Sequence, residues 1–472
     1  QKGETFSFTN VQRWFQAFVV YRKTLIQGEN FMKKEFKIIK SGVLYILILI
    51  TLLTAGFLIP NKLINRNLKS SITYYKENGM RPLVKNLLCT MEDASADSTE
   101  LNIIKNNGSD DIIKSVFYTR MYREADNQNF MNMAYKTIMY DTPANYNYNR
   151  YWHGYQIFLR PMLIFFNVHI IKIICMAAYT GLLVYFIYAC IKNKYTSLAI
   201  GISLMNVFHI IPFGFSSLEY IPVFMIMMIS SILMLRTEKD DEYTQKIFLI
   251  SGISTAFFDF WTAETLTFTV PCIVYAYIQN RRACFSPKSA AYGGLHWLLG
   301  YCGTFLLKWG VSSIIYKENF FKTAFYKYSL HTVSDNMFPA TFSLKYNINV
   351  LLFNCTSVRT TFICTVIFLT MTGIFVYLFR KKDSSVKYML SVCLTGLIPY
   401  AVYLIFKGHS REYVFFTYRA QLVVIPILVI LISEILFKKS LFRKNPKPSV
   451  KITVNAGCKS LPDKILQKGK IL

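Results

Sequence analysis

Charge sorts by side along this chain, and that constrains its fold before any motif is read. Apolar runs long enough to cross a bilayer alternate with short basic connectors: Lys192 and Lys194; Arg236, Lys239 and Lys246; Arg281, Arg282 and Lys288; Arg380, Lys381, Lys382 and Lys387. Short loops rich in Lys and Arg stay on the cytoplasmic side of a membrane. The intervening connectors carry the residues with chemistry: Asp110, Asp111, Asp141, Arg150, Trp152, His153, Glu219, Asp259, Glu264, His331, Asp335, His409, Arg411 and Arg419. Any site on such a chain faces outward.

Composition fits a multi-pass protein, since 53% of the 472 residues are hydrophobic, 17% are charged and the mean hydropathy is +0.31. A soluble chain of this size is rarely so apolar. The net charge of +27 could point to nucleic acid, but the basic residues crowd at the ends of apolar runs and in the tail. That distribution fits membrane topology and contact with anionic lipids, with no nucleic-acid partner. Of the ten cysteines, Cys175, Cys190, Cys272, Cys302, Cys364 and Cys393 lie in apolar runs, where they act as small hydrophobes. None forms a CxxC pair, and only Cys89 and Cys355 fall in outward loops, where one bridge would fit.

The hydropathy pattern predicts about ten transmembrane helices, at 43–60, 168–191, 196–213, 219–235, 247–260, 263–279, 291–315, 359–379, 387–406 and 420–437. This is an all-α polytopic membrane protein with both termini cytoplasmic, expected in a bacterial plasma membrane. Its parts are a cytoplasmic segment 1–42, a transmembrane core 43–437 and a basic tail 438–472. Met32-Lys33-Lys34-Glu35-Phe36-Lys37 ahead of the first apolar run reads as a bacterial start and signal anchor. That makes 1–31 an upstream extension, with a surface-helix pattern at Val11, Trp14, Phe15, Phe18 and Val19. The stretch 247–279 is long for one crossing and short for two, yet Lys246 and Arg281 both belong inside. It must go out and return, through a lip at Phe258-Asp259-Phe260-Trp261-Thr262-Ala263-Glu264, and two such short spans suit a protein that thins the bilayer locally or tilts few of its helices. Two large outer loops follow, 61–167 and 316–358, the first with helical periodicity after Ser109-Asp110-Asp111 and again over 127–140.

Several groups could carry chemistry, and each has a bland reading beside it. Asn149-Arg150-Tyr151-Trp152-His153-Gly154-Tyr155, with Arg160 a few residues on, could grip a phosphate while an aromatic ring covers a sugar, or form an interfacial aromatic belt. Asp110 and Asp111 are candidates for a general base, with Asp141 behind them, but Ser-Asp-Asp before a helix also describes an N-cap. Asp259 and Glu264 near the bilayer are functional candidates, with Lys308 as their counter-ion, or members of a structural salt bridge. His409, Arg411 and Arg419 at one helix mouth suit an anionic head group, against the alternative of water-facing loop charges; Glu219 is less specific. No Gly-rich phosphate loop, zinc signature or nucleophile elbow is present. No cofactor is implied, although the acidic groups would accommodate a divalent cation.

The layout resembles the GT-C class of membrane glycosyltransferases over about 40–437, as do the blocks Arg150-Tyr151-Trp152-His153-Gly154, Phe258-Asp259-Phe260-Trp261-Thr262 and Phe415-Phe416-Thr417-Tyr418-Arg419. The resemblance implies transfer of a sugar from a polyprenyl-phosphate carrier to a cell-envelope glycan or lipid on the outer face. It would make Asp111 or Asp110 the base, and Arg150, Arg411 or Arg419 the holders of the lipid phosphate. The chain departs from the class in having no carboxylate between Asn61 and Lys69, where an acidic pair often follows the first span. A lipid-linked polysaccharide polymerase or ligase, a transporter or flippase and a non-catalytic assembly protein are the alternatives.

Overall fold

The computed structural model describes residues 8–79, 92–124, 129–210, 217–237, 241–333, 340–353 and 384–441. Asp335, Cys89, Cys355, the expected eighth span at 359–379 and most of the basic tail lie outside these residues. The described chain is almost entirely helical. Among the described residues, six helices are long and apolar enough to cross a membrane: Phe31–Phe57, Val168–Lys192, Leu218–Leu235, Pro287–Tyr316, Lys387–Ile405 and Val414–Glu434. Their outer faces are apolar too, for instance Leu44, Leu47 and Leu52 on the first and Leu295, Leu298 and Leu306 on the fourth. An apolar belt of this extent is stable only against lipid or another apolar surface.

Helix α1 (Phe8–Phe57) leads into a cap made of α2 (Asn61–Asn78), α3 (Ala94–Asn106), α4 (Ile112–Phe117), α5 (Phe130–Tyr140) and α6 (Gln156–Phe165). A two-residue antiparallel ladder joins β1 (Arg120–Met121) to β2 (Tyr146–Asn147), in register Arg120↔Asn147. The bundle follows: α7 (Val168–Lys192), α8 (Thr196–Met205), α9 (Ile221–Leu235), α10 (Asp241–Phe258), α11 (Leu266–Arg281), α12 (Pro287–Tyr316) and α15 (Ser384–Ile405). Between the last two come α13 (Phe320–Val333) and α14 (Ala340–Phe353), and the chain closes with α16 (Lys407–Glu412), α17 (Val414–Thr417) and α18 (Val424–Leu441).

Contacts at the helix ends define two faces. At one, Lys34 pairs with Asp241 at 2.8 Å, His296 meets Glu35 at 2.9 Å, and Arg282 donates to Thr237 O at 2.6 Å. The basic connectors therefore gather together, as their sequence pattern requires. At the opposite face lie the end of α1, the cap, the 259–265 turn and the short helices α16 and α17.

Two departures from the hydropathy reading have clear causes. The pair α10 and α11 does not sit as two short lipid-facing spans, because every residue from 251 to 279 is buried within the protein. Interior helices need not match the bilayer thickness, so no thinning is required. Close packing explains their small residues: a Cβ on Gly252 would lie 2.0 Å from Trp297 O, and one on Gly300 2.4 Å from Leu249 O. The predicted span 196–213 is α-helical only to Met205 and continues as a π-turn over Asn206–Ile210, a distortion often found at functional sites.

Candidate functional site

The basic and aromatic segment at 149–160 divides into two parts with different jobs. Arg160 is fully buried and all of its donors are engaged: Nε to Gly56 O at 3.1 Å, Nη1 to Ile104 O at 3.1 Å and Asn107 O at 2.8 Å, Nη2 to Ile59 O at 2.6 Å and Asn61 Oδ1 at 2.7 Å. These carbonyls belong to the ends of α1 and α3, which an α-helix leaves without internal donors. Arg160 thus clips the cap to the first membrane helix and has no donor left for a phosphate. Trp152 is buried, stacks on Phe257 at 5.1 Å and donates to Thr304 O at 2.8 Å, so its ring is core packing rather than a sugar platform.

His153 adopts φ 58° and donates from Nε2 to Tyr148 O at 2.9 Å. Burial lowers its pKa to about 3, so it is a neutral ring and adds no positive charge. Gly154 is required by close approach: its amide donates to Phe257 O at 3.0 Å, and a Cβ would fall 2.3 Å from the Phe257 ring.

Arg150 is different. It is half-buried, its guanidinium lies 4.5 Å from the Tyr148 ring and 5.1 Å from the Tyr151 ring, and Nη2 donates to the Tyr148 hydroxyl at 3.0 Å. Among the described residues no carboxylate pairs with it. It borders a cleft with Tyr146, Asn147, Trp309 and Thr323.

The outer-loop aspartates lie at the surface. Asp111 caps α4 by accepting from Lys114 N at 3.0 Å, pairs with Lys114 Nζ at 3.3 Å and remains 41% exposed. Its capping bond to the Lys114 amide outweighs slight burial and lowers its pKa. Asp110 is exposed beside it, and Asp141 is exposed and paired with Lys105 at 2.6 Å. Lys308 is not the counter-ion of Asp259 and Glu264: its Nζ donates to Val116 O at 2.5 Å and sits 5.1 Å from the Trp152 ring.

The 259–265 turn is a built feature. Asp259 accepts from Trp261 N at 3.1 Å, Thr262 N at 3.2 Å and Thr262 Oγ1 at 2.6 Å, while Trp261 takes φ 73°. Burial nevertheless raises the Asp259 carboxyl to about 6. Glu264 is pushed up to about 8 by burial and by the Asp259 charge. His409 stacks on Trp261 at 4.8 Å and donates from Nε2 to its carbonyl at 2.9 Å, so α16 docks on the turn. Arg411 is half-buried on the same helix. Arg419 is buried, stacks over Tyr220 at 5.2 Å and Tyr418 at 5.0 Å, and donates to Phe415 O at 2.9 Å.

Sequence reasoning missed the acidic face of α3. Asp97 is buried and joins Lys172 Nζ at 2.5 Å, Tyr75 OH at 2.5 Å, Ser217 Oγ at 2.7 Å and Leu218 N at 2.7 Å. Asp93 caps α3 through Ala96 N at 2.9 Å and accepts from Tyr220 OH at 3.0 Å. Glu100 is buried with both carboxyl oxygens lacking a hydrogen-bond partner, and burial plus the Asp97 charge holds its pKa well above the carboxylate range. Lys172, a lysine near the start of an apolar run, was the signal: it calls for buried acids nearby.

Glu219 stands within reach of the charges of Asp93, Glu100, Asp259 and Asp97. Among the described residues its carboxylate makes no hydrogen bond or ion pair. Tyr148 and Tyr413 each feel the charges of both Arg150 and Glu219. Among the described residues no group of three or more His, Cys, Asp or Glu is placed to hold a metal ion. Comparison with protein-family models, curated proteins and solved structures finds no match to this chain.

Proposed function

We propose that this protein is a membrane glycosyltransferase of GT-C type, with about ten crossings and both termini cytoplasmic. It moves a sugar from a polyprenyl-phosphate carrier to an acceptor on the outer face. The observation that carries this reading is that Glu219 and Arg150, far apart in sequence, both act electrostatically on Tyr148 and Tyr413, at the end of the bundle opposite the basic connectors. An unpartnered carboxylate and a cation without a carboxylate partner are the two groups that transfer from a lipid phosphate needs. Arg150 holds the phosphate of the donor and stabilises it as it leaves. Glu219 takes the proton of the acceptor hydroxyl as its oxygen bonds to the anomeric carbon and the bond from that carbon to the phosphate oxygen breaks. The base role falls to Glu219 because Asp110 and Asp141 are exposed and Asp111, half-buried, is committed to a helix cap.

The test uses purified protein in lipid nanodiscs with a panel of labelled polyprenyl-phosphate sugars. Glu219→Gln should bind donor normally while transfer falls ~10²-fold or more. Arg150→Gln should weaken donor binding itself, and Asp111→Asn should leave both intact because Asn caps a helix about as well as Asp. Wild-type protein that neither binds nor uses any donor would hand the chain to the transporter or assembly readings.

A further inference from the structure

A second cavity lies where the 259–265 turn meets α15, α16 and the segment at Thr417 and Ala420 that leads into the last helix. Its walls include Trp261, Glu264, Tyr403, Phe406, His409 and Ser410. Glu264 is 93% buried by virtue of its 7% exposure, and among the described residues its carboxylate receives no side-chain hydrogen bond and no ion pair.

The other polar groups around this cavity are already engaged within the protein. Tyr403 OH donates to Thr417 O at 2.7 Å, Thr262 Oγ1 donates to Asp259 at 2.6 Å, and Thr417 Oγ1 donates to Asn347 Oδ1 at 2.9 Å. His409 gives its Nε2 proton to Trp261 O. Among the described residues no Lys or Arg lines the space, and the nearby Asp259 adds negative charge. What remains open to a ligand is the Glu264 carboxyl, with the Phe406 and Tyr403 rings and the Ser410 hydroxyl beside it. A carboxylate accepts hydrogen bonds and aromatic faces attract cations, so the complement is a donor-rich positive group. A phosphate or carboxylate ligand is repelled here.

The geometry points to this cavity as a binding site for a primary ammonium group, carried by the saccharide on which the protein acts. The saccharide part rests on the glycosyltransferase reading, whereas the ammonium site stands on the cavity itself. Burial that holds a proton on Glu264 near neutral pH fits this role, because an arriving ammonium replaces that proton. The cavity is small, which suits an ammonium head rather than a whole sugar ring.

Equilibrium binding of glucosamine, N-acetylglucosamine and glucose to the full chain in nanodiscs tests the site at neutral pH. Wild-type protein should bind glucosamine at least tenfold more tightly than the other two, since acetylation removes the charge and keeps the ring. Glu264→Gln should erase that preference; Phe406→Leu should weaken it while leaving the carboxylate, and serves where the glutamine variant does not insert. Equal binding of glucosamine and N-acetylglucosamine by wild type, or no binding of glucosamine, overturns the site. Transfer to neutral acceptors without amine preference would sink this inference alone. Amine-selective binding with no transfer from any donor would keep the site and sink the glycosyltransferase reading.

Discussion

Replacing Arg160 by Met separates a structural cation from a ligand-binding one. The guanidinium satisfies the carbonyls of Gly56, Ile59, Ile104 and Asn107 and the Asn61 side chain, all at 2.6–3.1 Å. Methionine fills much of the volume but supplies no donor, so four backbone acceptors lose a charged partner inside the protein. A buried acceptor left without a donor costs about 1–3 kcal/mol, and such losses are not additive because water or a shifted neighbour rescues some of them. Removing one member of a buried charged set typically costs ~3–5 kcal/mol, and that is the expectation here. At no more than ~2–4 °C per kcal/mol, and less in a chain this long, the apparent melting temperature should fall by ~5–10 °C. The measurement is a thermal scan of detergent-purified protein at one fixed rate, since membrane proteins unfold irreversibly and only matched scans compare. Arg160→Lys should recover a fraction of the loss, having three donors on a point charge where the planar fork has five. Wild-type melting in Arg160→Met together with weakened binding of a polyprenyl-phosphate donor would refute the reasoning and return Arg160 to the site.

Gly154→Ala should destabilise by about 2–4 kcal/mol, combining overpacking against Phe257 with loss of the bond to its carbonyl; unchanged stability would mean that the turn relaxes freely. Cysteine at exposed Asn319 should react with an impermeant thiol reagent in intact cells, and cysteine at exposed Lys194 should not; outside labelling at 194 would invert the topology. Glu264 predicts a pH dependence of known sign. Its folded pKa of about 8 exceeds the ordinary ~4.3, so between these values the folded state holds a proton that the unfolded chain releases, and stability falls as pH rises through that window. Glu264→Gln should therefore match wild type near pH 4 and exceed it by up to a few kcal/mol at pH 8; parallel profiles would show that Glu264 is ionised throughout.

Much of the topology was legible because charge and hydropathy act along the chain. Lys246 and Arg281 had to share a side, which forced the reversal now seen between Phe258 and Leu266. The helices predicted after Asp111 and over 127–140 formed at Ile112–Phe117 and Phe130–Tyr140 for the same local reasons. The acidic face of α3 was not legible in that way. Asp93, Asp97 and Glu100 recur at helical spacing, but their burial depends on Tyr75, Lys172, Ser217 and Tyr220, and only folding brings those together. That 251–279 is interior rather than lipid-facing was equally hidden, because a fully buried helix and a membrane-facing one are both apolar all round.

The cations at the cap can be sorted by asking which carbonyls the helices leave open. Helix α1 ends at Phe57 and α3 at Asn106, and Arg160 serves carbonyls at both ends. Helix α4 ends at Phe117, and there Lys308 donates to Val116 O and Ser312 to Phe117 O at 2.8 Å. Each of these side chains answers a demand that a helix creates wherever its end is shut away from water. Sequence shows only a basic residue near an outer connector, so such residues look alike before folding. Arg150 answers no such demand: it bonds to a tyrosine hydroxyl, lies against two rings and borders a cleft. A guanidinium kept half-buried without a carboxylate partner is costly to the folded state unless something else uses its charge. This asymmetry, more than the clustering of charges itself, is why we propose Arg150 among the cations at this end of the bundle as the one to hold an anionic substrate.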